Sequence, residues 1–393
     1  MTEEAPRRCR VCGTTHVAVV LRRDAVPVLQ NATHGSEALA ARAPRGRLTL
    51  VACRGCGFVG NDDFDPGAVI YDESYENDQS LSAAFLDHMR GRAAAIMAAV
   101  PAGGAVVEVG CGQGMFLREL RQIAPGDVSL FGFDPSFRGT APDGIHVERR
   151  FLDREVLAST GKPADAIVAR HVIEHVVDPV GFLRTIRQAL PDRHACRLFL
   201  ETPCFDWIAG RRVLQDVFYE HPNYFTAASL TTALAIAGFR PDRIDHVFDG
   251  QYLWAEAVPS SPASFVADPQ AGAAVDAALA YAEAIERDIG RWRARLAGGP
   301  KTAVWGAGAK GATFVLLVDP DRALVDSLVD INPSKQGCFA GVSAHPILSP
   351  ETALSRGARR VLVMNPAYRT EIAATIAALG GDVELIDAGG AGQ

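Results

Sequence analysis

The chain has 393 residues, 48% hydrophobic and 22% charged, a profile that excludes a disordered or fibrous protein and predicts two or three domains rather than one core. A net charge of −7 and a pI near 5.8 argue against a nucleic-acid partner, whose phosphates call for a basic face. No apolar run reaches the roughly 20 residues needed to span a bilayer. Residues 1–10 lack the apolar stretch of a secretory signal, so a cytoplasmic location with no membrane partner is expected.

Residues 1–70 read as a loop-rich module with short β-like runs at 16–21 and 47–52. It carries two C-x-x-C pairs, Cys9 with Cys12 and Cys53 with Cys56, each followed by a glycine, Gly13 or Gly57. Two residues between thiols let one tight turn present both sulfurs to a single metal, and the glycine supplies the positive φ that the turn needs. Two such turns complete a four-sulfur site, read as structural zinc because no coordination position is left for substrate. A module this small has little core of its own and gains from a metal staple.

Helical periodicity over 82–100 leads into a central region, taken as residues 71–260. There, strands at 105–108, 129–133, 166–169 and 197–201 alternate with helices from Gly114 and near 179–189. This alternation predicts a parallel sheet covered on both faces. Its first strand runs through Val106, Val107, Glu108 and Val109 into Gly110-Cys111-Gly112-Gln113-Gly114, and the glycines let a ligand approach the backbone at the carboxyl end of the strand. The next strand ends in Asp134, placed to accept both hydroxyls of a ribose. The G-x-G-x-G spacing departs from the G-x-G-x-x-G dinucleotide fingerprint. It resembles the first motif of class I methyltransferases, which implies that Glu108, Gly110, Gly112, Gly114 and Asp134 hold S-adenosylmethionine. The strand at 166–169 is followed by Arg170-His171-Val172-Ile173-Glu174-His175, with His171 expected to line the cofactor.

A Pro/Ser/Ala stretch at 258–264 marks a linker, and an Ala-rich amphipathic helix at 271–296 fills most of a linker region set at 261–297. Residues 298–393 alternate again, with strands at 302–305, 327–330, 360–363 and 382–386. By themselves Gly306-x-Gly308-x-x-Gly311 and the strand-end Asp330 suggest NAD binding, which keeps an NAD-dependent oxidoreductase open as an alternative.

With these residues in place, the chain resembles over nearly its whole length the sugar C-methyltransferases, which act on nucleotide-linked deoxyketo-sugars in antibiotic biosynthesis. The resemblance rests on the four cysteines, the central glycine loop, and a C-terminal set comprising Gly306-Ala307-Gly308-Ala309-Lys310-Gly311, then Asp330-Ile331-Asn332-Pro333-Ser334-Lys335-Gln336-Gly337, then Pro346-Ile347. It implies an α/β chain of three parts: the zinc module, a class I methyltransferase Rossmann-like sheet, and a C-terminal Rossmann-like domain that closes over a nucleotide-linked sugar. Lys310 and Lys335 could offer charge to its diphosphate.

The run Asp216-Val217-Phe218-Tyr219-Glu220-His221-Pro222-Asn223-Tyr224-Phe225-Thr226 is similar to the family's Y-H-E-H-x-x-Y-F-S stretch. Methylation at carbon needs a proton removed beside a carbonyl. A histidine suits that task, and His221 is the candidate base with Glu220 as its partner. His175 is expected to hydrogen-bond the keto oxygen and stabilise the enolate. Tyr75, Gln79 and Tyr224 are expected against the substrate. The sequence departs from the family pattern in two places. Phe218 and Tyr219 stand where it reads tyrosine then histidine, and Asn77 stands where it supplies an aromatic. The departures leave O- or N-methylation of another small molecule open.

Overall fold

The structure, a computed structural model, describes residues 7–70, 81–190 and 196–389. Its centre is a seven-stranded sheet in the order Phe239–Val247, Tyr252–Pro259, Arg197–Pro203, Ala166–Arg170, Ala105–Val109, Ser129–Phe133 and His146–Glu148. The last five of these run parallel. Their middle residues, Val106, Val107, Ile167 and Val168, have no exposed surface, as continuous apolar runs in a sheet covered on both faces should.

The expectation of a purely parallel sheet is corrected at one edge, where Tyr252–Pro259 and Phe239–Val247 are antiparallel to their neighbours. Only residues 248–251 join these two strands. A connection that short can make a hairpin but not a crossover, which needs a dozen or more residues. Asp249-Gly250 within it is a hairpin signal, and both residues have positive φ.

The N-terminal module is not self-contained. Its antiparallel sheet pairs Val17–Pro27, Arg45–Cys53 and Val59–Asn61, and the fourth strand is Asn223–Tyr224 from the central region. Thr33–His34 pairs with Phe339–Ala340 of the C-terminal part. The helix Ala271–Leu296 buries Val275, Ala278, Tyr281, Ile285, Ile289 and Trp292, the three-and-four spacing of one helical face. At about 39 Å it packs against both the N-terminal sheet and the C-terminal part. Tyr281 and Ile285 pack in one core with Val26, Leu48 and Leu50 of the N-terminal sheet, and Trp292 meets the Phe314 ring at 5.4 Å. Among the described residues no helix is long and apolar enough to cross a membrane.

The C-terminal sheet is fully parallel, in the order Ile347–Leu348, Ser327–Val329, Thr302–Trp305, Arg360–Val363 and Glu384–Asp387. It is tied to the central region by reciprocal amide bonds. Gln251 Nε2 donates to Asn365 Oδ1 at 2.9 Å, and Asn365 Nδ2 donates back to Gln251 Oε1 at 3.0 Å. Gln215 Nε2 adds bonds to the carbonyls of Met364 and Ala388, both at 3.3 Å.

At the start of the helix Ala309–Val318, a Cβ built on Gly311 would lie 1.9 Å from the Gly306 carbonyl oxygen. Gly311→Ala should therefore force the loop apart and lower stability by about 1–3 kcal/mol, read as a drop in the denaturant midpoint. An unchanged midpoint would show that the loop can open freely.

Candidate functional site

The four N-terminal thiols converge. Cys9 Sγ lies 3.6 Å from Cys56 Sγ, Cys12 Sγ lies 3.5 Å from Cys53 Sγ, and all four are within 4.8 Å of one another. Zinc–sulfur bonds of about 2.3 Å in a tetrahedron put sulfurs about 3.8 Å apart, so the cluster fits zinc. The two knuckles repeat one geometry, with φ of 75° at Gly13 and 74° at Gly57, and each glycine N–H donates to the carbonyl of the first cysteine at 2.9 Å. Between Cys9 and Cys12, Arg10 reaches outward. Its Nη1 donates to the Pro222 carbonyl at 2.9 Å and its Nη2 to the Asn61 carbonyl at 2.7 Å.

The residues expected at the cofactor loop gather at the carboxyl edge of the central sheet. Gly110, Gly112 and Gly114 all have positive φ. A Cβ on Gly110 would strike Val172 at 2.3 Å, whereas Gly112 faces open space. Asp134 Oδ2 accepts the Gly112 N–H at 2.8 Å, while its Oδ1 accepts from Ser136 N at 2.7 Å and Ser136 Oγ at 2.6 Å. The loop is thus braced before any ligand arrives. Gly114 opens the helix Met115–Ile123 with no side-chain cap, which leaves amide donors at its end. Beneath the loop, burial pushes the Glu108 carboxyl up to about 8, with Arg170 pulling it down and Asp134 adding to the rise. Glu108 Oε2 is buried without a hydrogen-bond partner. An open glycine, uncapped amides and an orphaned carboxyl oxygen suit a polar, cationic ligand such as S-adenosylmethionine.

Next to this edge lies a cavity of about 260 Å³, shared by the central region and the C-terminal loop at residues 306–311. On its central wall the rings of His175 and His221 stand perpendicular, 4.6 Å between centroids. Burial, and then the fields of the neighbouring His175, His171 and Lys310, hold His221 well below the usual histidine range, and its Nδ1 is buried without a partner. His175 Nδ1 lies 3.0 Å from the Glu220 carbonyl oxygen. A carbonyl only accepts, so the proton is on Nδ1. Glu220 Oε1 in turn accepts the Gln30 N–H at 3.1 Å.

His171 lines this cavity too, edge-on to Tyr252 at 4.7 Å. Its Nδ1 is 3.4 Å from Glu174 and its Nε2 3.0 Å from Glu201. Burial works against its charge, but the two carboxylates outweigh burial and raise it to about 9. Glu201 is fully buried, yet Arg170 at 2.9 Å, with His171 and His88, holds it well below the usual carboxylate range.

From the C-terminal part, Lys310 pairs with Asp216 and sits 5.4 Å from the Trp207 ring centroid. Lys335 is only 5% exposed and lines the cavity. Among the described residues its ammonium has neither hydrogen bond nor ion pair.

The structure corrects the placement of Tyr224. Its hydroxyl donates to the Phe218 carbonyl at 2.9 Å and accepts the Phe218 N–H at 2.6 Å, and it is 1% exposed and absent from the cavity wall. Neighbouring strand residues face opposite ways. Asn223 turns to the carbonyls of Ile173 and Val176, so Tyr224 turns into the core. Tyr75, Asn77 and Gln79 lie outside the described residues. Sequence reasoning passed over Asp216, Glu201 and Asn31, which lines the cavity from the N-terminal module. Glu201 stands near the end of a strand beside the cofactor edge, a signal that could have marked it. Asn31 carries no local signal.

Residues 85–244 match the family described as Methyltransferase domain, and residues 284–383 match C-methyltransferase C-terminal domain. The chain is 25% identical over 394 aligned positions to the C-methyltransferase NovU of Streptomyces niveus, covering 93% of this chain and 90% of that relative. It is 29% identical over 148 residues to a ubiquinone biosynthesis O-methyltransferase of Parvibaculum lavamentivorans, covering 34% of this chain and 58% of that protein. A structure of an S-adenosylmethionine-dependent methyltransferase from Mesorhizobium loti is 18% identical, with a TM-score of 0.31, covering 43% of this chain and 99% of that one.

Two outcomes are expected. Cys53→Ser should lower bound zinc well below about one per chain and lower the melting temperature; full zinc content would refute the four-thiol site. Because His171 is raised to about 9, its contribution to stability is complete below about 6.5, the unfolded value, and is lost as pH rises through 9. The melting temperature should therefore fall across that window more steeply in the unaltered protein than in His171→Gln. Parallel curves would remove the charge from His171.

Proposed function

We propose that this chain, which belongs to the S-adenosylmethionine-dependent sugar C-methyltransferase family, methylates a carbon beside the carbonyl of a nucleotide-linked keto-sugar, with His221 as the base. One observation carries the reading. A neutral imidazole from the central region and a buried lysine from the C-terminal part, unpaired among the described residues, line the same cavity. The imidazole can take a proton and the lysine can take a phosphate.

Glu108, Gly110, Gly112, Gly114 and Asp134 would hold S-adenosylmethionine, which would supply an electrophilic methyl group. The substrate's C–H proton passes to His221, whose lone pair is free because its surroundings keep it uncharged. The electrons left behind form an enolate, whose carbon would accept the methyl group while the electrons of the carbon–sulfur bond would stay on sulfur. The carbonyl of Glu220 fixes the tautomer of His175, so neutral His175 offers only a lone pair at Nε2. It can donate to the enolate oxygen in its protonated form. The Glu220 carboxyl, 1% exposed at the cavity, is placed to meet a sugar hydroxyl. A diphosphate between Lys310 and Lys335 would weaken the field of Lys310 on His221 and make the base stronger.

O-methylation is the second reading. It is favoured by the similarity of the central region to the ubiquinone biosynthesis O-methyltransferase, and a histidine base would serve it equally well. Deuterium exchange separates the two. Incubated in D₂O with a nucleotide-linked keto-sugar, the protein should exchange the C–H next to the carbonyl. His221→Ala should slow exchange and turnover about 10²- to 10⁴-fold, with S-adenosylmethionine affinity unchanged. Methyl transfer without exchange, or exchange that survives His221→Ala, would overturn carbon methylation by this base.

A further inference from the structure

We infer that Arg10 is a positioning residue for His221, fastening the first metal knuckle to the backbone of the segment that carries the base. The inference rests on the reading of His221 as the group that acts on substrate.

The geometry is specific. The Pro222 carbonyl receives two donors, Arg10 Nη1 at 2.9 Å and Asn61 N at 3.0 Å, which occupy both oxygen lone pairs. The other arm of the guanidinium takes the Asn61 carbonyl at 2.7 Å. One planar fork therefore ties the cysteine knuckle, the strand Val59–Asn61 and residue 222 into a single unit. Pro222 directly follows His221. Its ring locks its own φ and restricts the backbone of the preceding residue. With the Pro222 carbonyl pinned, little backbone freedom remains at His221. Neighbouring contacts complete the seat. Asn223 N donates to the Glu174 carbonyl at 3.2 Å, and Asn61 Nδ2 donates to the Tyr219 carbonyl at 3.4 Å.

The second knuckle shows that this is no general habit of the metal module. Arg54 holds the same place between Cys53 and Cys56 that Arg10 holds between Cys9 and Cys12. Its side chain is 49% exposed and its ion-pair partner is the surface Asp276, 3.8 Å away. The two arginines share a local sequence setting and the same turn, yet of the two Arg10 alone meets the segment 216–224. A metal in the thiol cluster would hold the base of Arg10 rigid, and this side chain would carry the order of the first knuckle to residue 222. A displacement of about 1 Å at a catalytic group can cost about 100-fold in rate, the scale on which such a clamp matters.

The test uses the full-length, metal-loaded protein and compares Arg10→Ala, Arg10→Lys and Arg54→Ala. Metal content, steady-state kinetics and the ¹⁵N imidazole spectrum are measured, the His221 signals being assigned by their loss in His221→Ala. Arg10→Ala should keep its metal and lower kcat about 10- to 100-fold, with KM changed less than about threefold. The His221 signals should shift or double. Arg10→Lys, which keeps one donor arm, should recover part of both effects, and Arg54→Ala should match the unaltered protein. Metal-loaded Arg10→Ala with unaltered kcat and unmoved His221 signals would overturn the inference. If Arg10→Ala loses its metal, metal-loaded Arg10→Lys decides by the same two readouts. If His221→Ala keeps its turnover, the base assignment fails, and the imidazole signals alone decide whether Arg10 seats His221.

Discussion

The architecture turns on one strand pairing between distant parts of the chain. Asn223 and Tyr224 pair with Gly60 and Val59, and this pairing places residues 216–226 inside the N-terminal module. The approach is close enough that a Cβ on Gly60 would lie 2.8 Å from the Pro222 oxygen. Around it, the Asp65 N–H donates to the Tyr219 hydroxyl oxygen at 3.0 Å, and the Phe58 and Phe225 rings meet edge-on at 5.5 Å. The candidate base and its neighbour Glu220 are therefore mounted on a foreign sheet rather than on the domain that precedes them in sequence. The cysteine module does more than hold itself together, since it backs the segment that carries the candidate base.

A second constraint is the charge buried under that wall. Glu201 has no exposed surface, yet Arg170, His171 and His88 surround it. A buried carboxylate of this kind persists only when its partners compensate fully, and removing one partner costs more than the pair contributes. His171 draws its charge from this network and passes it to the cavity. Its field is one of those that keep His221 neutral. Two histidines at one cavity are thus pushed in opposite directions: against burial, the carboxylates of Glu174 and Glu201 raise His171 to about 9, whereas burial first, and then neighbouring positive charge, lowers His221.

The C-terminal domain completes the cavity with the same devices as the central one. A strand-end aspartate braces a glycine turn in both. Asp134 takes the Gly112 N–H, and Asp330 takes the Ala307 N–H at 2.9 Å. The two turns differ in the charges they carry toward a ligand. The C-terminal loop sends Lys310 toward Asp216, and Lys335 stands in the cavity with no counter-charge among the described residues. One glycine loop is suited to a cationic cofactor; the other brings Lys310 to the cavity, where Lys335 joins it from the turn after Asp330.

The sequence by itself determined everything that depends on neighbours along the chain. The cysteine spacing and trailing glycines set the knuckles, continuous apolar runs set the buried strands at 129–133 and 302–305, and three-and-four spacing set the helix Ala271–Leu296. Alternate glycines and a strand-end Asp134 marked the cofactor edge. Tertiary structure alone decided which side chains meet. Tyr224 looked like a substrate contact in its motif, but strand alternation turned it into the core. The perpendicular pair His175 and His221, the reach of Arg10 to Pro222, and the capture of residues 223–224 by a distant sheet left no periodic trace. Local propensity is written into spacing because helices and strands repeat over a few residues. A contact between segments far apart depends on how whole faces dock, and each partner's own surroundings in sequence carry no record of the other.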